Sequence, residues 1–448
     1  MYLANGQNSP KTNDPGGLFY GWYIVAAMFF TSLIGVGSRQ GFGVFVKVWE
    51  EDFGTSVGMI SVAAGIGWTV NGLVQPIAGS LTDRFGGRRV MIVGSIGMAL
   101  ATIGVGFMPN VYGLIVMYGF VLSALAGGAF GTPTTSVISR WFQRKRGMAI
   151  SFVMAGGSAG GLIMVPFAAY LLVIADWRTA WFVMGGMILL FGLPLIVGIV
   201  RDNPADMGLE PDGGSDGDPD EPNLVPHQIR VAPLETTHWR DSVHSAPLWQ
   251  LSVAFWVCGI TTGMIAVHFV RWAESEDISA GTAALAFGVL SVINGAGLIF
   301  VGWISDYMPR KNLLGVVYLV RAGAFLALIF LPGQAALWSF AVLGGMSWLA
   351  TVPMTNGLTA DIYGLRNIGM INGLIMMSHQ LGGGVAVIAA GVVFDVWGTY
   401  DAAFVEGFAT LVLAGVVSFS INESKYSIRY QKPRPITPNV ITAASDGD

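Results

Sequence analysis

The stretch GSLTDRFGGRR, residues 79–89, carries the strongest indication of how this chain folds. An apolar run ends there, and one aspartate, three arginines and two glycines follow within seven residues. A related stretch, GWISDYMPRKN, begins at Gly302, half a chain length after Gly79 in a chain of 448 residues. A charged turn that recurs after half the chain length predicts an internal repeat.

A second pair of segments supports the repeat. RGMAISFVMAGGSAGG begins at Arg146 and NIGMINGLIMMSHQLGG begins at Asn367, so that Gly147 aligns with Gly369 in nearly the same register as Gly79 with Gly302. Two repeats in the same topology are typical of membrane transporters that bind their cargo between the repeats, near the middle of the bilayer.

Composition excludes most classes of soluble protein. Charged residues make up 11% of the chain, whereas ordinary globular domains carry about 25%. Apolar residues make up 53% and stand in blocks of about twenty, the length that an α-helix needs to cross a bilayer. We therefore expect an all-α membrane protein. The net charge of −4 gives no argument for binding nucleic acid, and the single cysteine, Cys258, cannot form an internal disulfide.

Hydropathy predicts twelve transmembrane helices in two bundles of six. The predicted spans are 21–46, 57–81, 90–108, 111–138, 147–174, 178–200, 247–271, 282–304, 313–331, 335–359, 368–394 and 402–420. The first span is too long for the apolar region of a signal peptide, so we expect it to be retained. The segment between the sixth and seventh spans is rich in proline, glycine and aspartate, the composition of a linker. The predicted organisation is a tail, a bundle, a linker, a bundle and a tail, over residues 1–20, 21–200, 201–246, 247–420 and 421–448.

Basic residues in the short loops predict the orientation. Ten Lys and Arg residues lie in alternate loops, and the opposite loops hold only Lys47, Arg178 and Arg271. Short loops with an excess of Lys and Arg face the cytoplasm. Both termini and the linker are therefore predicted to be cytoplasmic, in a multi-pass protein of the plasma membrane, which in a bacterium is the inner membrane.

At these motifs the chain resembles the major facilitator superfamily over nearly its whole length. The first charged turn matches the signature loop of that superfamily at Gly79, Asp83, Arg84, Gly86 and Arg88. The second copy keeps Gly302 and Asp306 but has Tyr307 and Pro309 where Arg and Gly are usual. The resemblance implies loops that lock the cytoplasmic side, with the aspartate near a neighbouring helix end and the arginines across from it. A helix N-terminus and breakable ion pairs suit that role, and the alternative is that these charges only set the topology.

Shorter phrases narrow the resemblance. FYGWYIV opens the first span, DNPADMGLEPDG follows the sixth, and GLIMMSHQLGG lies in the eleventh. Together they resemble bacterial relatives of monocarboxylate and oxalate/formate transporters. One departure concerns the eighth span, where eukaryotic members carry an aspartate and an arginine. VLSVINGAGLIFVGW has neither, and Asn294 stands about where that arginine would be.

Three arginines in or beside the spans are candidates to bind an anion, because a charge inside a bilayer costs roughly 2.5–3.5 kcal/mol even on lenient scales. Arg39 lies in the outer part of the first span among glycines, and we predict substrate binding, against a snorkelling or interhelical role. Arg321 lies near mid-depth of the ninth span, which is usually peripheral in the resembled fold, so a structural partner competes with substrate contact. Arg271, beside Glu274 and Glu276, is either an interface anchor or a guide for anions.

Histidine and amide side chains complete the predicted site. His379 is close to the midplane of the eleventh span, and His268 lies near the outer end of the seventh. Each imidazole is a candidate to bind substrate and to carry a coupled proton near neutral pH, with structural hydrogen bonding as the alternative. Gln380, Asn71 and Asn294 are predicted to line the cavity with polar groups.

Several absences narrow the function. No Asp or Glu lies deep in a span, which weakens export of a cationic drug or amine. The chain has no nucleotide-binding glycine loop with lysine and no Cys/His cluster for a metal, so we expect no cofactor. The prediction is a monomeric secondary transporter of a small carboxylate, coupled to a proton by symport and working in the lipid bilayer. An anion exchanger with the same site fits the residues equally well. An intramembrane enzyme would need a nucleophile or metal beside the histidines, and a transport-dead sensor would usually carry a signalling domain.

Overall fold

A computed structural model of the chain describes residues 18–55, 57–212, 228–229, 231–432 and 434–435. Most of the predicted N-terminal tail, the centre of the predicted linker and the end of the C-terminal tail lie outside the described residues. Within a few helices the side chains of single residues, among them Lys47 and Arg271, also lie outside the description.

The first half of the described chain contains ten α-helices. They are α1 (Tyr20–Gln40), α2 (Phe42–Phe53), α3 (Val57–Phe85), α4 (Gly87–Val105), α5 (Val111–Leu114), α6 (Ser123–Ala129), α7 (Thr132–Trp141), α8 (Arg146–Ile174), α9 (Trp177–Met187) and α10 (Leu193–Ile199). Two π-helical segments, Ile115–Leu122 and Ile188–Gly192, join α5 to α6 and α9 to α10.

The second half of the described chain contains eight more helices. They are α11 (Ala246–Ser275), α12 (Ala280–Ser305), α13 (Arg310–Phe330), α14 (Gly333–Ser347), α15 (Thr351–Tyr363), α16 (Ile368–Trp397), α17 (Asp401–Ser420) and α18 (Glu423–Tyr426). The described β structure includes a two-residue antiparallel pair, in which β1 (Gln228–Ile229) of the linker lies beside β2 (Arg434–Pro435) of the C-terminal tail.

The structure confirms the all-α class. Among the described residues, eleven helical segments are long and apolar enough to cross a membrane, and they correspond to every predicted span except the second. The second span falls within α3, whose 29 residues are long enough to cross a bilayer. The number twelve and the cytoplasmic placement of the termini stay predictions.

Three predicted spans, 21–46, 111–138 and 335–359, are interrupted helices rather than continuous ones. In the first span α1 ends at Gln40 and α2 starts at Phe42. In the fourth span the helix stops at Phe130, and Gly131 has φ +76°, a left-handed value that glycine adopts without strain. Thr132 and Pro133 then start α7, because proline fits the first turn of a helix. In the tenth span α14 ends at Ser347 and α15 starts at Thr351, so both halves interrupt the fourth of their spans.

Glycines bring helices into backbone contact in both halves. In the first half α1 crosses α8, where a Cβ on Gly37 would lie 2.7 Å from the Gly160 backbone. In the second half α11 crosses α16, where a Cβ on Gly263 would lie 2.7 Å from the Gly383 backbone. Small residues at such crossings allow the close van der Waals packing that holds membrane helices together.

Two helix pairs form the most extensive contacts between the halves. We call the contact of α3 with α16 the first seam and the contact of α8 with α12 the second seam. Both seams start at the end of the molecule that carries the charged turns, here called the basic end and defined by the loops 82–89, 142–146, 306–311 and 363–367. From the basic end inward, the seams are marked by Gly79 with Gly369 and Thr69 with Gly384, and by Gly147 with Ser305 and Gly295 with Ser158.

Candidate functional site

At the basic end each half places an aspartate on the helix N-terminus of the other half. The Asp83 carboxylate accepts hydrogen bonds from the backbone N–H groups of Gly369 (2.9 Å) and Met370 (2.7 Å), at the start of α16. The Asp306 carboxylate accepts hydrogen bonds from Gly147 (2.9 Å) and Met148 (3.1 Å), at the start of α8. Each carboxylate satisfies two N–H groups that have no partner within their helix and meets the positive end of the helix dipole.

Of the other residues of the signature loop, Gly79 lies on the first seam, and Gly86, Arg84 and Arg88 contact their own half. Gly79 lies where α3 touches the backbone of Gly369, so a side chain there would overlap with α16. Gly86 has φ +86°, and Arg88 donates its backbone N–H to Asp202 (2.8 Å) and its guanidinium to a carbonyl of α10 (2.6 Å). Arg84 is exposed, with its guanidinium 5.1 Å from the centre of the Phe85 ring. The seam residues of the predicted gate are therefore Gly79, Asp83 and Asp306.

A buried ionic cluster reinforces the second seam. Asp361, near the end of α15, accepts from Arg146 at 2.7 Å and from Arg310 at 2.5 Å. Arg310 also pairs with Asp306 at 3.0 Å, so the cluster includes the capping carboxylate itself. All four side chains are at most 7% exposed. The matching contact of the first seam, Arg140 with Asp83, is longer, at 3.9 Å, and more exposed.

Burial also changes the acidity of the first capping carboxylate. Asp83 lies beyond the predicted second span, and its burial raises its pKa to about 6. The hydrogen bonds from Met370 and Gly369 and the charge of Arg140 oppose this rise without cancelling it. The Asp83 carboxyl therefore titrates closer to neutral pH than an exposed aspartate does.

A network of polar side chains crosses the first seam at mid-depth. Gln380 donates to the Asn71 side-chain oxygen at 2.6 Å, and it lies 3.4 Å from the imidazole Nδ1 of His379. The other ring nitrogen of His379 lies 3.4 Å from the Thr262 hydroxyl on α11. The imidazole is 7% exposed, and its ring lies 6.5 Å from the ring of Trp68 of the opposite half, in a stacked arrangement.

The network reaches the interruption of the tenth span through Arg321. This guanidinium is fully buried and donates to the thiol of Cys258 at 3.2 Å and, through its other terminal nitrogen, to the carbonyls of Ser347 and Trp348. These carbonyls lie where α14 ends and have lost their helical partners. Within the interruption, the Leu349 N–H donates to the side-chain oxygen of Asn294 at 3.0 Å. Arg321 and Asn294 thus satisfy the backbone groups that the interruption exposes.

Arg39 lies apart from this network, near the end of α1. The Tyr118 hydroxyl, in the π-helical part of the fourth span, donates to the Arg39 carbonyl at 3.4 Å and is within hydrogen-bonding reach of its guanidinium. The side chain is half-buried, and its Nε is buried without a hydrogen-bond partner. Among the described residues no carboxylate pairs with Arg39, so its guanidinium keeps the capacity to bind an anion.

His268 is also separate from the network. Its Nδ1 lies 3.1 Å from the Tyr400 hydroxyl, and its Nε2 lies 2.9 Å from the carbonyl of Val387. The imidazole thereby joins α11 to α16 and to the start of α17. The side chain of Arg271 lies outside the described residues.

The structure therefore brings together five of the predicted site residues, which are Asn71, Asn294, Arg321, His379 and Gln380.

Several residues of this arrangement were not predicted from the sequence. Trp68, Thr262 and Cys258 surround His379 or Arg321 but have no local pattern that distinguishes them from ordinary packing residues. Pro133 and Pro353 could have indicated the interruptions of the fourth and tenth spans. Both stand in the fourth span of their half, close to the register that aligns Gly79 with Gly302. Among the described residues, no group of three or more His, Cys, Asp and Glu side chains could hold a metal ion.

Comparisons with known proteins agree with this architecture. The model of the Major Facilitator Superfamily matches residues 28–387. YcxA of Bacillus subtilis, an uncharacterised MFS-type transporter, is 25% identical over 382 residues, which cover 84% of this chain and 88% of YcxA. Monocarboxylate transporter 11 of Mus musculus is 25% identical over 426 residues, which cover 91% of this chain and 88% of the mouse protein.

Solved structures show the same fold. The proton:xylose symporter XylE matches with a TM-score of 0.71 at 14% identity, over 89% of this chain and 94% of XylE. The matched family and the curated relatives consist of transporters and not of enzymes. The chain therefore belongs to the Major Facilitator Superfamily, as a multi-pass membrane transporter.

Proposed function

We propose that this transporter carries a small organic anion of the monocarboxylate type by alternating access, in symport with a proton, across the plasma membrane. The observation that carries the proposal is the unpartnered Nε of Arg39, a cation within the first span that no described carboxylate neutralises. A buried donor without a partner costs free energy, and a bound carboxylate would remove that cost. The similarity to monocarboxylate transporter 11 supports the same class of substrate.

Arg321 has a different role in this proposal. Its Nε is also buried without a hydrogen-bond partner, but both of its terminal nitrogens already donate to groups of the second half, so it has less capacity left for a substrate than Arg39 has. Its positive charge still lies at mid-depth behind Trp348, 5.9 Å from the centre of that ring. Arg321 would therefore favour an anion over a cation in the cavity without binding it directly.

His379 is the proposed proton carrier. It is a titratable group at mid-depth, it touches residues of both halves through Trp68 and Thr262, and it hydrogen-bonds with Gln380 at the first seam. An imidazole in such a position changes its surroundings when the seam opens, which is what a coupled proton requires. His268 is the weaker candidate, because both of its ring nitrogens face groups of its own half.

The first experiment is thermal unfolding of the purified protein in detergent with benzoate, benzamide and benzylamine. These three compounds share a ring and differ in charge. A ligand present at 100 times its Kd should add about 2.7 kcal/mol of apparent stability. We expect benzoate or another small monocarboxylate to raise the midpoint and the matched amide and amine to leave it unchanged.

Variants assign the effect to Arg39. Arg39→Gln should abolish the shift that the carboxylate produces, whereas Arg178→Gln should retain it. Arg178 is a suitable control because it is exposed and pairs with Asp52 outside the candidate site. A shift by benzylamine alone would contradict the proposal and favour export of a cation, and a full carboxylate shift in Arg39→Gln would exclude Arg39 as the anchor.

A further inference from the structure

Asn71 and Asn294 occupy equivalent positions in the two halves, in the register that aligns Gly79 with Gly302. Each lies at mid-depth on a seam helix, Asn71 on α3 and Asn294 on α12. Their partners across the seams are equivalent too, because Ser158 on α8 aligns with Gln380 on α16 when the starts of these two helices are aligned. Both amides are buried, with 4% and 3% of their surface exposed.

Each asparagine has one hydrogen bond across its seam. The Asn71 oxygen accepts from Gln380 at 2.6 Å, across the first seam, and the Asn294 amide nitrogen donates to the Ser158 hydroxyl at 2.8 Å, across the second seam. Separation of the halves at the basic end would break both bonds.

The other polar atom of each asparagine amide forms a hydrogen bond with the interrupted span of its own half. The Asn71 amide nitrogen donates to the Ser123 carbonyl at 2.9 Å, just after the π-helical segment of the fourth span. The Asn294 oxygen accepts from the Leu349 N–H at 3.0 Å, within the interruption of the tenth span. These backbone partners fix the orientation of both amides, since a carbonyl only accepts and an N–H only donates.

We propose that Asn71 and Asn294 are positioning residues that couple closure of the basic end to the shape of the fourth and tenth spans. When the second seam opens, the Asn294 amide nitrogen loses its described partner, and a buried amide with one end unsatisfied is costly, so the side chain turns towards water and releases the span as well. When the first seam opens, the Asn71 oxygen keeps a hydrogen bond of 3.1 Å from Gln75 on its own helix, so we expect a weaker release of the fourth span. The inference concerns the transport cycle and holds whatever the cargo is.

The released segments lie beside the candidate cations. The Ser123 hydroxyl donates to the Tyr118 carbonyl at 2.8 Å, and Tyr118 contacts Arg39. On the other side, Leu349 follows directly on the two carbonyls that hold Arg321. Opening of the basic end would therefore loosen the surroundings of Arg39 and Arg321 together, at the stage when a cargo has to leave.

Hydrogen exchange in detergent tests the coupling in the second half. Ser158→Ala removes the bond across the seam without substituting Asn294 or any residue of the interruption. We expect the amides of residues 348–350 to exchange about three- to tenfold faster, which corresponds to the net loss of one hydrogen bond. The matched control is Ser291→Ala, on the same helix as Asn294, because the described bond of the Ser291 hydroxyl goes to the Phe287 carbonyl of its own helix.

Spin labels at two exposed positions of the basic end, Gln143 and Tyr307, report on the seam in the same variants. Ser158→Ala should increase the population with the longer distance between labels, and Ser291→Ala should not. The proposal is overturned if the seam opens while residues 348–350 keep their wild-type exchange, if exchange rises without opening, or if neither changes. No substrate is present, so this result is independent of the proposed carboxylate.

The first half provides a second test that does not depend on how Ser158→Ala folds. In the described contacts Gln380 reaches Ser123 only through Asn71. Gln380→Ala should therefore speed exchange in the segment 119–127. Ser378→Ala should not, because the described bond of its hydroxyl goes to the Leu374 carbonyl of its own helix. Unchanged exchange in 119–127 would remove Asn71 from the proposal.

Discussion

The two seams close the same end of the molecule with the same capping geometry and with different electrostatics. In both, an aspartate accepts two backbone N–H groups of the opposite half, at 2.7–3.1 Å. In the second seam the capping carboxylate belongs to a buried cluster with Arg310, Asp361 and Arg146. In the first seam the described ion partner of Asp83 is the partly exposed Arg140, at 3.9 Å.

Judged from the sequence motif alone, the first seam would be the stronger of the two. The first charged turn keeps the signature loop, and the second has lost Arg and Gly at Tyr307 and Pro309. The second seam is nevertheless the one with buried ion pairs, because Asp361 comes from the end of another helix, α15, far along the chain from Asp306. What is retained in both copies is the aspartate, since helix capping needs only a carboxylate at the right end of the helix.

The largest expected effect is that of Asp361→Ala. It leaves Arg146 buried without a described carboxylate within salt-bridge distance, and an uncompensated buried charge costs about 3–5 kcal/mol. Thermal unfolding in detergent should show a large drop of the midpoint. The control is Arg178→Ala, which breaks an exposed pair with Asp52, leaves the hydrogen bond from Trp177 to Asp52 in place, and should cost at most about 1 kcal/mol. Equal effects of the two variants would show that the buried cluster contributes no more stability than an exposed ion pair does.

A smaller difference is expected between the two capping aspartates. Asp306→Asn loses the charge that serves both the start of α8 and the buried Arg310, and hydrogen bonds to charged groups contribute about 1.5–3 kcal/mol. Asp83→Asn removes a charge that burial already disfavours, as the raised pKa of Asp83 shows, so it should weaken closure little or not at all. Spin labels at Gln143 and Tyr307 should therefore show more opening for Asp306→Asn. The reverse order would mean that the sequence motif, and not burial, sets the strength of each seam.

A pH response should distinguish the first seam. Burial raises the pKa of Asp83 to about 6, whereas in an open seam this carboxyl would have its ordinary value near 4. Protonation therefore favours closure, and this contribution is complete below about pH 4 and disappears as the pH rises through about 6. Labels at Arg89 and Arg366, both exposed, should show more closure at pH 4.5 than at pH 7.5. Asp83→Asn should remove that part of the response, and a response that persists unchanged would assign it to another group.

The smallest effect is expected from Arg140→Ala. Its pair with Asp83 is long and partly exposed, so its removal should change the unfolding midpoint by an amount equivalent to less than about 1 kcal/mol. Added salt should reduce even that effect, because exposed pairs are screened. A loss as large as that of Asp361→Ala would show that the two seams are electrostatically equal after all.

The sequence was sufficient for the features that have a period or a repeat. Blocks of about twenty apolar residues predicted the helices. The register between the two halves predicted the duplicated architecture that places Asp83 and Asp306 at equivalent contacts. Asn71 and Asn294 were predicted only as polar liners, although their equivalence could have been read from the same register.

The remaining features depend on tertiary contact. The interruption at 348–350 is stabilised by Arg321 from another helix, and no pattern within the tenth span reveals that partner. Arg39 and His379 were predicted to act together, and the described contacts place them in separate surroundings, beside Tyr118 and beside Gln380. Sequence position gives the depth of each residue in its span, but the partners of each side chain follow from how the helices pack.

The most direct test is uptake of labelled pyruvate into proteoliposomes, with and without an inward proton gradient. The account predicts uptake above that of protein-free liposomes, a severalfold increase with the gradient, and loss of uptake in Arg39→Gln but not in Arg178→Gln. Uptake of benzylamine without any uptake of pyruvate, or wild-type uptake by Arg39→Gln, would contradict it.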